Sequence, residues 1–121
     1  MTKTILEQGG QKIALLHSDT VLINSASAAM DLIATTFYED NCTAVFLNKE
    51  AMTDDFFILS SGLAGDILQK FANYRMQLAI IGNFGSYTSK PLQDFMYESN
   101  KGCHICFAAS QQAAMDWLAK N

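Results

Sequence analysis

Ser60-Ser61-Gly62-Leu63-Ala64-Gly65-Asp66-Ile67-Leu68-Gln69-Lys70-Phe71-Ala72-Asn73-Tyr74-Arg75-Met76-Gln77-Leu78-Ala79-Ile80-Ile81-Gly82 holds a helix and a buried strand within 23 residues. Leu63, Ile67, Leu68 and Phe71 recur at helical spacing, with Gln69, Lys70 and Asn73 off the apolar stripe. The pattern then changes. Met76–Ile81 is apolar at nearly every position, which suits a strand covered on both faces, and Gly82 ends it. A helix feeding a doubly covered strand is the repeating unit of a parallel sheet, because parallel neighbours need a crossover between them.

The same unit recurs on either side. Upstream, Asn24 and Ser25 are good caps, and Met30, Ile33, Ala34 and Phe37 follow at helical spacing before the apolar run Thr43–Leu47. Thr53-Asp54-Asp55-Phe56-Phe57 reads as a short capped turn. Downstream, Ser89 caps a helix that carries Pro91 in its first turn, where a missing N–H does no harm. Leu92, Phe95, Met96 and Ser99 form its inner face, and Gly102 closes it. His104–Ala108 is a last strand, and Ser110 caps a final helix packed through Ala114, Trp117 and Leu118. The chain opens differently. Gly9-Gly10 is a hairpin turn between Thr4–Glu7 and Lys12–His17, and Ser18-Asp19 is a second turn leading into a short strand, Thr20–Ile23. The expected architecture is a single α/β domain over residues 1–121: an N-terminal β-hairpin, then alternating helices and strands, giving a mostly parallel sheet of four to five strands with about four helices.

Composition excludes several classes of function. The 121 residues are 50% apolar and 17% charged, the balance of an ordinary globular protein. Folding at this length buries roughly 65–70% of the chain's surface, so no covalent staple is needed. Twelve acidic against eight basic side chains leave a net charge of −4. Seven lysines and the single Arg75 form no basic run, so no nucleic-acid partner is expected. The N-terminus lacks a basic start followed by an apolar stretch, and no apolar run approaches the roughly 18 residues that span a bilayer. No membrane association is expected, and the cytoplasm is the expected compartment. Cys42, Cys103 and Cys106 are too few for a disulfide scaffold.

The segments Asp54-Asp55-Phe56-Phe57, Ser61-Gly62-Leu63-Ala64-Gly65-Asp66-Ile67-Leu68-Gln69-Lys70-Phe71 and Asn73-Tyr74-Arg75 resemble a bacterial family filed as domain of unknown function 4180. So do Thr88-Ser89-Lys90 and Asp94-Phe95-Met96-Tyr97-Glu98-Ser99-Asn100. The resemblance runs from about Lys12 to Leu118 and carries no established activity. More loosely, Ser60-Ser61-Gly62-Leu63-Ala64-Gly65 is similar to the helix-opening motif of STAS domains, the fold of anti-sigma-factor antagonists. That resemblance implies a STAS-like fold for the domain, a protein partner, and phosphorylation at Ser60 by a partner kinase. Leu59 stands where those regulators carry an aspartate before the modified hydroxyl.

Few residues offer chemistry. Ser60, Ser61, Gly62 and Gly65 lie at a helix start, where free backbone N–H groups and the helix dipole favour an anion. They read equally as an N-cap and close-packing glycines. Nothing of the P-loop or nicotinamide-binding pattern is present. Cys103-His104-Ile105-Cys106 has redox or metal spacing, yet a strand would point Cys103 and Cys106 to opposite faces, so buried structural cysteines are expected and no metal. Asp54 and Asp55 read as first-turn charges. Asp66 and Glu98 have no partner at recognisable spacing, and His17 and His104 complete no hydrolytic triad. No catalytic residue and no cofactor is assigned. Arg75, as the one guanidinium, is the natural anchor of an anion site. Three readings follow: a non-enzymatic regulatory or partner-binding module; a small enzyme or ligand-binding protein with an anion-accepting pocket built on Arg75, Ser89 and Glu98 near the carboxyl ends of the strands; and a homodimer formed through a patch that sequence does not locate.

Overall fold

The computed structural model describes residues 1–121. Strands β1 (Thr2–Gln8) and β2 (Gln11–His17) form an antiparallel hairpin. Gly9 and Gly10 make its two-residue turn with φ of 59° and 80°, a left-handed pair that glycine adopts without steric cost. From β2 onward the sheet is parallel: β3 (Ala44–Asn48), β4 (Gln77–Ile81) and β5 (Ile105–Ala108) add one after another, giving the order β1-β2-β3-β4-β5. The expected mixed α/β architecture is therefore observed, with five strands and four helices.

The order of the strands dictates where the helices go. A right-handed crossover from each strand to the next neighbour on the same side puts every connecting helix on one face. Helices α1 (Ala26–Ala34), α2 (Leu63–Asn73) and α3 (Lys90–Lys101) accordingly pack on one face, called the front. They close over Ala14, Leu16, Val45, Leu47, Leu78, Ile80, Ile105 and Phe107 in the larger core. Alternate strand residues Ile13, Ala44, Phe46, Ala79, Cys106 and Ala108 point to the back, where α4 (Gln111–Ala119) covers them with Ala114, Trp117 and Leu118. α4 follows the last strand and needs no return crossover, so it is free to take the face the others leave bare.

The helix starts agree with the capping residues. Ser25, Ser89 and Ser110 each accept a hydrogen bond from a backbone N–H three residues on. Four expectations change. Thr20–Ile23 is not a strand; it contributes a single bridge, Ile23 to Met52, since no neighbouring strand extends that far. α2 begins at Leu63, with Gly62 at φ 76° as its N-cap and Leu59–Ser61 as a separate 3-10 turn. α1 does not run on to Phe37 as an α-helix: Thr35–Glu39 is a π-helical segment. The last strand starts at Ile105, leaving Cys103 exposed in the bend before it, so only Cys106 of that pair is buried.

Candidate functional site

The residues that sequence singled out are scattered. Ser60 is exposed on the 3-10 turn. Ser61 donates its hydroxyl proton to the Asp55 carbonyl at 2.9 Å and accepts from the Leu63 N–H at 3.2 Å. One N–H at the start of α2 is thus already held. Gly62 is required by its left-handed backbone, whereas a Cβ on Gly65 would meet nothing within 4 Å, so Gly65 permits no close contact.

Arg75 and Ser89 lie at opposite ends of the sheet. Arg75 precedes β4 by two residues, at the amino end of the strands and with a left-handed φ of 52°, while Ser89 caps α3 after the chain has left the carboxyl end. Five residues of β4 separate those ends by roughly 16 Å. Glu98 sits late in α3 and faces Lys101 at 3.6 Å. Arg75 belongs to no salt bridge. The three side chains therefore do not assemble one pocket at the carboxyl ends of the strands.

Those carboxyl ends, where open α/β sheets take ligands, are partly occupied by the chain itself, and a concavity of about 200 Å³ remains there between His17, Asn48, Ile81 and Gln111. Asn48 ends β3 and clasps Ser18 just beyond β2. Its Oδ1 accepts from the Ser18 N–H at 2.8 Å, and its Nδ2 donates to the Ser18 carbonyl at 2.7 Å. The same Nδ2 reaches Glu50 Oε1 at 3.2 Å, and this donor is the main reason the Glu50 carboxyl is held below its ordinary range. Lys49 lies flat across Gly82, where an added Cβ would come within 2.7 Å of the Lys49 Cβ. Its Nζ donates to the Asn83 carbonyl at 2.9 Å and stands 4.8 Å from the Tyr87 ring centroid. Tyr87 stacks on Phe57 with centroids 5.0 Å apart, and Phe57 and Phe84 extend the aromatic cluster to Phe107. Burial is the first cause that pushes the Tyr87 hydroxyl up.

A mainly apolar concavity lies elsewhere, between the hairpin and α1 on the front face. It encloses about 340 Å³, the lower end of the size range of ligand sites. Leu16, Leu22, Ala28 and Leu32 line it with apolar surface, and Asp31, Thr35 and Asp40 add polar groups. Lys3 of β1 reaches Asp40 at 2.9 Å, and that hydrogen bond is the first cause raising the Lys3 ammonium above its usual range. The π-helical segment borders this cleft. Thr36 Oγ1 donates to the Leu32 carbonyl at 2.7 Å, and the Cys42 N–H returns to the Thr36 carbonyl. Such π turns recur at functional sites because the extra residue re-aims the side chains around it. Sequence reasoning passed this cleft over. Its one local signal is Thr35-Thr36, a β-branched pair that weakens the end of an α-helix; the approach of β1 to α1 is a long-range fact.

Cys106 is the only cysteine whose thiol is pushed far up, to about 11, and burial alone does it. No group of three His, Cys, Asp or Glu side chains is placed to hold a metal ion, and no helix is long and apolar enough to cross a membrane.

A β-hairpin continued into a parallel sheet, with three helices on one face and one on the other, defines an α/β protein with an apolar, acid-edged cleft beside an edge strand. The chain matches the family model described as domain of unknown function (DUF4180) over residues 8–118 and belongs to that family. Neither the curated proteins nor the solved structures hold a match to it.

Proposed function

We propose that this chain is a non-enzymatic partner-binding module of the regulatory kind, and that its binding face is the cleft between α1 and the hairpin. The single observation that carries the reading is the cleft itself: about 340 Å³ lined by Leu16, Leu22, Ala28 and Leu32, with Asp31 and Asp40 beside them. That volume suits one or two apolar side chains of a partner. Asp40 is already paired with Lys3, so Asp31 is the carboxylate that selects a basic residue next to that apolar anchor, since an opposite charge steers the encounter and rejects acidic competitors. The carboxyl end of the sheet supports the same reading, because Asn48, Lys49 and the Phe57–Tyr87 stack take up much of the crevice a small substrate would use and leave about 200 Å³, below the usual range of ligand sites.

Peptide display selection on the immobilised full chain tests it. Enriched peptides should pair a Leu, Ile, Met or Phe with an adjacent Lys or Arg. Ala28→Trp, which fills the cleft, should weaken a selected peptide at least about tenfold, the loss of roughly 1.4 kcal/mol. Asp31→Lys should weaken basic peptides more than their uncharged analogues. Enrichment of peptides without this pattern, or affinity indifferent to Ala28→Trp in a variant with native circular dichroism, would overturn the proposal.

A further inference from the structure

The two edges of the sheet are treated differently. The β5 edge is short and closed: Asn100 of α3 accepts from the Phe107 N–H at 2.7 Å and donates to the Phe107 carbonyl at 3.2 Å, so a side chain occupies the place of a next strand. The β1 edge is seven residues long and carries no proline. Its register with β2 runs unbroken from Thr2↔His17 to Gln8↔Gln11, so no bulge twists it away. Proteins ordinarily blunt such an edge, because its free N–H and C=O groups are a template for another strand.

Which groups are free follows from the hairpin. In a two-residue hairpin the residues flanking the turn, Gln8 and Gln11, form a hydrogen-bonded pair, and such pairs alternate along an antiparallel ladder. The even residues of β1 therefore bond to β2, and Lys3, Ile5 and Glu7 turn their N–H and C=O groups outward. No backbone hydrogen bond outside the strand ladder reaches residues 1–10. On the front face, Met1 is 75% and Ile5 43% exposed.

We infer that β1 pairs antiparallel with β1 of a second copy of this chain, joining two five-stranded sheets into one of ten strands. The sequence Lys3-Thr4-Ile5-Leu6-Glu7 is its own complement in that arrangement. With the two-fold axis at Ile5, Ile5 faces Ile5 of the second copy, and each Lys3 faces a Glu7. All of these are outward, hydrogen-bonding residues, so six backbone bonds form across the axis. Glu7 already lies opposite Lys12 within its own hairpin. Joining the copies makes a front-face row of alternating sign: Lys12, Glu7, then Lys3 of the second copy. Lys3 has three N–H donors and holds Asp40 with one of them, leaving donors for the new carboxylate. A shift of two residues either way sets Ile5 against Lys3 or Glu7 and loses both charge pairs. The pattern therefore selects one register. This interface uses the edge of β1 and shares with the cleft only Met1 and Lys3 at the rim, so a variant deep in the cleft tells the two apart.

Sedimentation velocity on the full chain across micromolar concentrations reads the association directly, and a dimer is expected. Glu7→Lys places like charges opposite each other at two symmetric points and should raise the dimer dissociation constant about tenfold or more. Lys3→Glu should do the same, and the double variant Lys3→Glu/Glu7→Lys should associate about threefold or more tighter than either single variant, short of wild type because Glu7→Lys faces Lys12 and Lys3→Glu faces Asp40 within each copy. Ile5→Pro removes an outward N–H, a place where an edge strand accepts proline, and should abolish the dimer with native circular dichroism retained. Ala28→Trp should leave the dimer unchanged, which separates this proposal from the cleft reading. A monomer throughout the concentration range would overturn the inference, as would a dimer indifferent to both charge reversals.

Discussion

Asn48 shows how one amide replaces several turns of local structure. It ends a buried strand, and both ends of its side chain are used on Ser18, a residue 3% exposed and 30 positions away. Asn48→Ala would leave a buried N–H and a buried carbonyl without partners, so a loss of about 2–4 kcal/mol is expected in urea unfolding. A pH signature accompanies it. Because the Asn48 donor holds the Glu50 carboxyl low, the unfolded chain binds more protons there than the folded one, and stability from this group is present above the ordinary glutamate value of 4.5. It is lost as the pH falls through the lower folded value. The wild type should therefore shed stability in that acid window, and Asn48→Ala should shed less. Equal acid slopes for the two proteins would remove Asn48 from that role. In the sequence, Asn48 reads only as a polar residue after a strand; its partner lies across a loop that no local pattern connects. Ser25, Ser89 and Ser110 were legible, because a cap acts on backbone three residues away.

Among the elements, β5 and α3 are tied by Asn100, which supplies the missing strand to Phe107. Asn100→Ala should cost about 1–3 kcal/mol in thermal or denaturant unfolding. Asn100→Asp keeps the acceptor for the Phe107 N–H but sets a carboxylate against the Phe107 carbonyl, so it should not recover the full stability. An Asn100→Ala chain as stable as wild type would show that water replaces both bonds at no cost. Helices and strands of the parallel part were legible because their periods differ, with α2 and β4 the clearest case. The π-helical Thr35–Glu39 and the absence of a strand at Thr20–Ile23 were not. Each depends on what lies alongside: the first on the closing contact of Cys42 with Thr36, the second on the lack of a strand to pair with.

For the molecule as a whole, the sheet separates a 22-residue front core beneath three helices from a nine-residue back core beneath one. Trp117 anchors that single helix and donates its indole N–H to the Gly102 carbonyl at 3.0 Å. Trp117→Ala should cost about 3–5 kcal/mol, and the damage should stay on the back. The three thiols report this without added probes. In the wild type, only exposed Cys103 should react rapidly with a thiol reagent, since Cys42 and Cys106 are buried. In Trp117→Ala the labelling of Cys106, a back-face residue, should accelerate, while that of Cys42, in the front core, should change much less. Equal acceleration of both would mean that the two cores open together.

The sequence by itself determined the class of fold. Hydrophobic period, capping serines and the Gly9-Gly10 turn are properties of neighbouring residues, and a chain of alternating helices and strands has little choice but a parallel sheet. It also determined the scarcity of guanidinium and basic patches, which is a matter of counting. Tertiary structure alone decided the surfaces. Arg75, Ser89 and Glu98 were brought to no common point, the carboxyl ends of the strands were narrowed by Asn48, Lys49 and Tyr87, and the more open places became the α1 cleft and the β1 edge. The reason is physical: a site is a meeting of side chains from distant segments, and which segments meet depends on strand order and crossover direction, which local patterning does not specify.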